Sequence, residues 1–248
     1  MLRPQRRVQI AASAASEWPG FLQEFFDDTA VRPAFAPDAL SAARDFDRLH
    51  PEIVFCQPDF LTQALIQKWK VRRAVEPFLR IYQLGAGGPQ QVEEFKPDAE
   101  FASGLSLGDF QRELIKTLPY PETLHVLITD DEVEIGNMIR DFLALSSQPS
   151  FHVDYVCNGA QTLEFLKKAR PDVLVLDVKM PVMTGIEVYS ALKNTRQDYP
   201  VIIFFDAVFG DEIEKLHAIG RPAIIEKGGR QSEMPALLSL IKKKAFFG

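Results

Sequence analysis

Short apolar runs alternate along the chain with segments in which apolar residues recur every three or four positions. The runs VLVL at 173–176 and VIIFF at 201–205 are continuous, which is typical of strands covered on both faces of a parallel sheet. Between such runs, the segment 133–145 places its apolar residues on one helical face. This alternation of strand and helix predicts an α/β protein with a parallel sheet.

The second half of the chain gives five such units in order. Predicted strands cover residues 125–129, 151–156, 173–176, 200–205 and 223–226, and predicted helices cover 133–145, 160–169, 185–194, 211–219 and 233–244. Upstream of them, Pro119 and Pro121 interrupt both kinds of element. We therefore predict a linker at 119–122 between a domain at 1–118 and a domain at 123–248.

The first half of the chain repeats the second at a spacing of about 120 residues, which is the mark of an internal duplication. RVQIAAS at 7–13 parallels HVLITDD at 125–131, and HPEIVFCQ at 50–57 parallels RPDVLVLD at 170–177. Two similar α/β domains in tandem would explain this repeat. An unrelated α/β domain in the first half remains the alternative.

Composition narrows the function classes. The 248 residues are 46% hydrophobic and 25% charged, with a net charge of −6 that argues against a nucleic-acid-binding surface. No apolar run approaches the ~20 residues of a membrane helix, and the start of the chain lacks a signal-peptide core. We expect a cytoplasmic protein that does not insert into membranes, with Cys56 and Cys157 as buried thiols. The four histidines are scattered, without metal-ligand spacing to a cysteine.

Charged residues follow three predicted strands of the second half. Asp130 and Asp131 come after the first strand, Asp177 after the third and Lys227 after the fifth. Ligands of open parallel sheets bind at the carboxyl ends of the strands, and clustered carboxylates need a cation. Oxygen-only ligands favour Mg²⁺ or Ca²⁺, and a lysine suits a phosphoryl oxygen. The pattern predicts a carboxylate that can accept a phosphoryl group. A solvated row of acids at loop starts is the alternative.

With these motifs, residues from about 123 to 244 resemble the receiver domain of bacterial two-component response regulators. The resemblance is carried by ITDDE at 128–132, by PDVLVLDVKMPVMTG at 171–185 and by Lys227. It implies two tandem flavodoxin-like (βα)5 domains with doubly wound parallel sheets, the first of them degenerate. It also implies a phosphoacceptor carboxylate, a lysine in contact with the phosphoryl group and a bound Mg²⁺.

The roles implied for individual residues follow the motifs. Asp177 would be the phosphoacceptor and Lys227 the phosphoryl contact. The Mg²⁺ ligands would be Asp130, Asp131, Asp177 and the backbone carbonyl of Lys179.

Three positions depart from the receiver pattern. The hydroxyl residue expected at the end of the fourth strand is replaced by Phe205 or, with a shift of one, by Asp206. Ile224 stands where receivers carry an aromatic residue, and Gly228-Gly229 replaces the proline expected after the lysine. Because a hydroxyl bond to the phosphoryl group is lost, we expect phosphorylation with weak conformational coupling.

The first half lacks the acids of the second. Ala12 and Ser13 stand at the positions of the acid pair, Gln57 at the acceptor position, and Gly104 or a neighbour at the lysine position. We interpret residues 1–118 as a pseudo-receiver that supplies a binding or dimer surface. The basic stretch at 68–73, with an exposed-looking Trp69, could be a docking surface, although a solvated helix face is the more common outcome.

The sequence thus predicts a response regulator without a DNA-binding output domain, which acts through protein–protein interaction. The phosphoryl donor would be a histidine kinase or phosphotransfer protein, with a downstream protein partner and a possible homodimer. A phosphorelay intermediate or phosphate sink, and a phosphorylation-independent adaptor, are the alternatives. We expect no enzymatic activity beyond, at most, autophosphatase activity.

Overall fold

The fold is described from a computed structural model that covers residues 6–86, 95–146, 148–195, 199–206, 210–227 and 233–248. Gly228-Gly229, one of the predicted departures, lies outside these residues. The chain divides into two units, with the division between Pro119 and Tyr120. Each unit is built around one parallel sheet.

The first unit contains a five-stranded sheet in the order β2-β1-β3-β4-β5. Its strands are β1 (Val8–Ala11), β2 (Ala34–Ala36), β3 (Ile53–Cys56), β4 (Arg80–Leu84) and β5 (Ala99–Phe101). Its helices are α1 (Trp18–Phe26), α2 (Ala39–Leu49), α3 (Gln63–Val75) and α4 (Leu107–Ile115), with a short 3₁₀ helix at Pro58–Phe60.

The second unit has the same strand order, here β7-β6-β8-β9-β10. Its strands are β6 (Thr123–Thr129), β7 (Ser150–Val156), β8 (Val173–Leu176), β9 (Val201–Phe205) and β10 (Ala223–Glu226). Its helices are α5 (Val133–Ala144), α6 (Gly159–Lys168), α7 (Gly185–Asn194), α8 (Gly210–Ile219) and α9 (Glu233–Phe247). The predicted fold class, two tandem flavodoxin-like α/β domains, is confirmed.

The continuous apolar run of β8 explains how the second sheet is held. Val173 and Val175 point into the cluster formed with α5 and α9, whereas Leu174 and Leu176 point into the cluster formed with α7 and α8. All four side chains are buried. Each contributes about 2 kcal/mol of burial free energy, so the middle of the sheet is fixed from both faces. That rigidity carries over to Asp177, the next residue.

Two predictions about surface exposure, for Trp69 and for Cys157, are wrong. Trp69 is fully buried, because it packs inside the first unit against α2. Its basic neighbours Lys68, Arg72 and Arg73 bind acids of the same unit, namely Asp47, Glu76 and Asp98 respectively. The stretch 68–73 is therefore part of the intramolecular packing, which leaves the docking hypothesis without an exposed tryptophan.

The two cysteines differ from each other. Cys56 is buried, and burial raises the pKa of its thiol far above the ordinary value. Cys157 is exposed, in contrast to the prediction, because it lies one residue beyond the end of β7. None of the described helices is both long and apolar enough to cross a membrane.

Candidate functional site

Four charged residues lie directly after four strands of the second sheet. Because the strands are parallel, their carboxyl ends share one edge, and the residues that follow them meet there. They are Asp130 after β6, Asp177 after β8, Asp206 after β9 and Lys227 after β10. Backbone hydrogen bonds extend the sheet by one residue at three of these positions: Asp130 to Val156 (3.2 Å), Asp177 to Thr129 (2.9 Å) and Lys227 to Phe205 (2.5 Å).

The ammonium group of Lys227 lies at the centre of this group. Its Nζ is 2.7 Å from Asp130 Oδ2 and 2.8 Å from Asp177 Oδ1. These three side chains are no more than 5% exposed. Asp206 Oδ2 lies 3.9 Å from the same Nζ, on a side chain that is 64% exposed. Lys227 is thus bonded to two buried carboxylates, and a third carboxylate, on an exposed side chain, lies close to it.

The remaining oxygens of the buried pair are held by backbone amides. The N–H of Glu132 donates to Asp130 Oδ1 at 3.0 Å, and the N–H of Lys179 donates to Asp177 Oδ2 at 2.8 Å. Each carboxylate is therefore fixed by one ammonium and one amide donor. Fixed orientation of this kind favours a site built for chemistry over a row of solvated acids.

The charges at this edge do not balance. Burial raises the pKa of Asp177 to about 6, against the opposing effect of Lys227. Burial also raises the pKa of Asp130. For Lys227, burial opposes the charge, but its bonds to Asp130 and Asp177 outweigh this and raise its pKa. One ammonium group therefore compensates two buried carboxylates only in part.

This donor set fits a hard divalent cation such as Mg²⁺. Two fixed carboxylates with surplus negative charge supply oxygen ligands only, which Mg²⁺ prefers. Asp130 and Asp177 meet this description. Asp131, the next residue, is exposed, and the predicted roles of Asp131 and of the Lys179 backbone carbonyl stay predictions.

The loop after Asp177 is closed by the start of α7. The Thr184 hydroxyl accepts from the Glu187 N–H while the Glu187 carboxylate accepts from the Thr184 N–H, which forms a capping box. Met180 is buried in the core below the loop. At the loop tip, Val182 has φ 70° and is 85% exposed.

The strand register shows where the two residues proposed for the missing hydroxyl lie. Phe205 pairs with Glu226 inside the sheet, and its side chain is buried among α7 and α8 residues. Asp206 is the first residue beyond the strand and faces Lys227. Of the two residues, Asp206 is therefore the one whose side chain lies near the charged groups at the strand ends. Ile224 pairs with Ile203 and packs partly buried on the same core.

At the corresponding edge of the first sheet, the residues directly after the five strands carry no charge. Gln57 follows β3 as Asp177 follows β8, and its Oε1 accepts a 2.6 Å hydrogen bond from the Ser13 N–H. Ala12 and Ser13 follow β1. The residue directly after β5 is Ala102 rather than Gly104, which lies two residues further on with φ 80°.

One cluster of side chains with metal-binding atoms was not predicted from the sequence. His125, His152 and Asp154 are scattered in the sequence, with the two histidines 27 positions apart. The parallel pairing of β6 with β7 places His125 opposite His152. Aligning the two strands in a parallel register would have revealed this signal.

Comparisons with known proteins agree with the geometry. Residues 126–239 match the family model of the response regulator receiver domain. A protein-glutamate methylesterase/protein-glutamine glutaminase of Clostridium acetobutylicum is 37% identical over 83 residues, 34% of this chain and 24% of that protein. Response regulator MprA of Mycobacterium ulcerans is 32% identical over 81 residues, 33% of this chain and 34% of that protein. The predicted resemblance is confirmed.

Among solved structures, chemotaxis protein CheY4 of Vibrio cholerae is 26% identical with a TM-score of 0.43, covering 48% of this chain and 98% of that chain. The chain spans only about a quarter to a third of the two curated relatives named above. The expectation of no enzymatic activity is contradicted, because these relatives include enzymes, whose matches cover the receiver region.

Proposed function

We propose that this chain, which contains a response regulator receiver domain at residues 126–239, accepts a phosphoryl group on Asp177 in a two-component pathway. The observation that carries the proposal is the shared bonding of two buried carboxylates, Asp130 and Asp177, to Lys227. A structural ion pair needs one acid for one lysine. A second fixed acid with surplus charge is what a metal-assisted phosphoryl transfer requires.

The transfer joins an oxygen of Asp177 to the phosphorus of a phosphohistidine in a histidine kinase or phosphotransfer protein. The new O–P bond forms as the N–P bond breaks, and the imidazole nitrogen keeps the electron pair. Lys227, already 2.8 Å from the acceptor carboxylate, would hold a phosphoryl oxygen by charge and hydrogen bond. When bound by Asp130 and Asp177, Mg²⁺ would supply further neutralisation of the phosphoryl oxygens.

Asp177 must be ionised to act as the nucleophile. With a pKa raised to about 6 by burial, it is mostly ionised at neutral pH and still more basic than an ordinary aspartate. The 2.8 Å bond from the Lys179 N–H orients the carboxylate within the loop. Both properties suit an acceptor that works at neutral pH.

We propose that the phosphorylated state is communicated by protein–protein contact, with weak conformational coupling. The support is Asp206, whose carboxylate lies 3.9 Å from Lys227 Nζ and would repel a phosphoryl group held there unless a cation intervenes. The same observation favours a second candidate, a phosphorelay intermediate, because passing the group on requires no conformational signal.

The first unit would serve as a partner surface and take no phosphoryl group. An amide cannot form an acyl phosphate, and the Gln57 oxygen is already bound to the Ser13 N–H. A carboxylate introduced by Gln57→Glu would lack the lysine partner, since Ala102 follows β5.

The deciding experiment is incubation with a small-molecule phosphodonor and Mg²⁺, read by intact mass. We expect wild-type protein to gain one phosphoryl group, Asp177→Asn to gain none, and Asp141→Asn, which changes an exposed acid of α5, to behave as wild type. No gain in wild type, or an equal gain in Asp177→Asn, would refute the proposal.

Label transfer then separates the two candidates. If label moves from phosphorylated Asp177 to a phosphotransfer protein, the relay is supported. If Asp177→Asn leaves binding of the downstream partner unchanged, phosphorylation does not control the output and the chain acts as an adaptor.

A further inference from the structure

Three side chains with metal-binding atoms meet on one face of β6 and β7. His125 lies opposite His152 in the parallel register, and Asp154 follows His152 by two residues, so all three share a face. Their donor atoms lie within 4.8 Å of one another. The cluster belongs to the amino-terminal half of β6, whereas Asp130 follows the carboxyl end of that strand. Five residues of strand separate the two sites by roughly 16 Å.

The distances suit a common metal ion. His125 Nε2 is 2.7 Å from Asp154 Oδ2, and His152 Nε2 is 3.5 Å from the same oxygen. Four ligands of a tetrahedral ion with bonds of about 2.0–2.1 Å lie about 3.3 Å apart. Small rotations of the side chains would bring the three atoms to that spacing.

The backbone and the surroundings hold the cluster in place. The His125 N–H donates to Asp172 Oδ2 at 2.9 Å, and the His125 ring packs edge-on against Phe165 with centroids 6.0 Å apart. The side chains of His152 and Asp154 are 64% and 37% exposed. One imidazole is therefore fixed against the core, while the open side admits an ion and a water ligand.

We propose that His125, His152 and Asp154 bind a first-row transition cation of the Zn²⁺ type, with water completing the coordination. Two imidazoles and one carboxylate favour Zn²⁺, Cu²⁺ or Ni²⁺ over Mg²⁺, which prefers oxygen ligands. The second unit would then hold two cation sites of different chemistry at opposite ends of its strands. This site lies outside the phosphoryl-transfer machinery and does not depend on it.

A histidine–aspartate hydrogen bond without a metal is the competing explanation, and a titration separates the two. Zn²⁺ is added to the tag-free full chain in excess Mg²⁺, which occupies the acidic edge, and binding is followed by calorimetry. We expect one equivalent of Zn²⁺ in wild type and at least tenfold weaker binding in His152→Ala and in Asp154→Asn. His217→Ala, which removes an exposed histidine of α8, should bind as wild type.

Co²⁺ provides a second readout that reports the ligands themselves. The wild-type complex should show the visible absorption of four-coordinate Co²⁺, and His152→Ala should lose it. Circular dichroism without metal checks that each variant is folded, and Asp154→Asn replaces His152→Ala as the deciding variant if the latter is not. Absence of Zn²⁺ binding in wild type, or unchanged binding in a folded cluster variant, would overturn the proposal.

Discussion

Gly185 lies directly against the backbone of Asp177. A Cβ built on Gly185 would fall 2.0 Å from the Asp177 carbonyl oxygen, far inside contact distance. The Gly185 N–H also donates to the Val178 carbonyl at 3.0 Å. Helix α7 can therefore begin against the end of β8 only because residue 185 has no side chain.

Gly185→Ala should displace the loop between Asp177 and α7. We expect the second unit to lose about 2–4 kcal/mol of unfolding free energy, and phosphorylation of Asp177 to fall sharply, because the obstacle is backbone that cannot rotate away. Gly210→Ala is the matched control, since a Cβ there has no contact within 4 Å among the described residues. It should be neutral or slightly stabilising.

Unfolding of the two units can be followed separately. Both tryptophans, Trp18 and Trp69, lie in the first unit, so their fluorescence reports that unit alone. Far-ultraviolet circular dichroism reports both units. The prediction holds if Gly185→Ala shifts the unfolding transition seen by circular dichroism and leaves the one seen by fluorescence unchanged. If neither transition shifts, α7 moves aside without a cost in stability.

The loop tip offers a prediction of opposite sign. Val182 is a β-branched residue at φ 70°, a region that such residues occupy only under strain, and its side chain is 85% exposed. Val182→Gly should raise the unfolding free energy by about 1 kcal/mol. Val133→Gly, at the exposed start of α5, should lower it by a similar amount. A loss of stability in Val182→Gly would show that the loop needs the valine.

The sequence predicts the strands of the second unit better than it predicts which side chains are exposed. Hydrophobic periodicity located all five strands of the second unit, because buried parallel strands are continuous apolar runs. The residues that follow them could also be placed at one edge. The choice between Phe205 and Asp206 needed the strand register, which periodicity does not give. Cys157 and Trp69 were misjudged for a related reason: exposure depends on where an element ends and what packs on it.

The Asp177 carboxylate should weaken the fold at neutral pH. The pKa of Asp177 is raised from 3.8 to about 6 in the folded state, so folding favours its protonated form. The contribution of the Asp177 carboxyl to the unfolding free energy is therefore fully present below about pH 4. It is lost as the pH rises through about 6. Asp177→Asn, always neutral, escapes that loss.

In Mg²⁺-free buffer, Asp177→Asn should be more stable than wild type by up to about 3 kcal/mol at pH 8 and nearly equal to it near pH 4. Urea unfolding at the two pH values measures the difference. Adding Mg²⁺ should stabilise wild type more than the variant. The control Asp141→Asn changes an exposed side chain and should stay within about 0.5 kcal/mol of wild type at both pH values. A variant less stable than wild type at pH 8 would contradict this account.

Removing the lysine should have a larger effect. Lys227→Met leaves Asp130 and Asp177 buried without their shared cation, which costs about 3–5 kcal/mol at neutral pH. The deficit should shrink as the pH falls and the carboxyls protonate, and Asp177→Asn in the same chain should recover part of it. Lys168→Met, which breaks an exposed pair with Glu164, should cost less than about 1 kcal/mol. Equal costs for the two lysine variants in urea unfolding would contradict the buried-pair account.

Substitutions at Asp206 test the predicted weak coupling between phosphorylation and conformation. A hydroxyl after β9 could donate to a phosphoryl oxygen, which the Asp206 carboxylate cannot do. A ligand shifts a conformational equilibrium only through contacts that differ between the two states. With beryllofluoride and Mg²⁺ as phosphoryl mimic, we expect small NMR shifts across residues 205–227 in wild type and larger ones in Asp206→Thr. Asp206→Ala removes the charge without adding a donor and should remain close to wild type. Large shifts in wild type would show that this receiver couples fully without the hydroxyl.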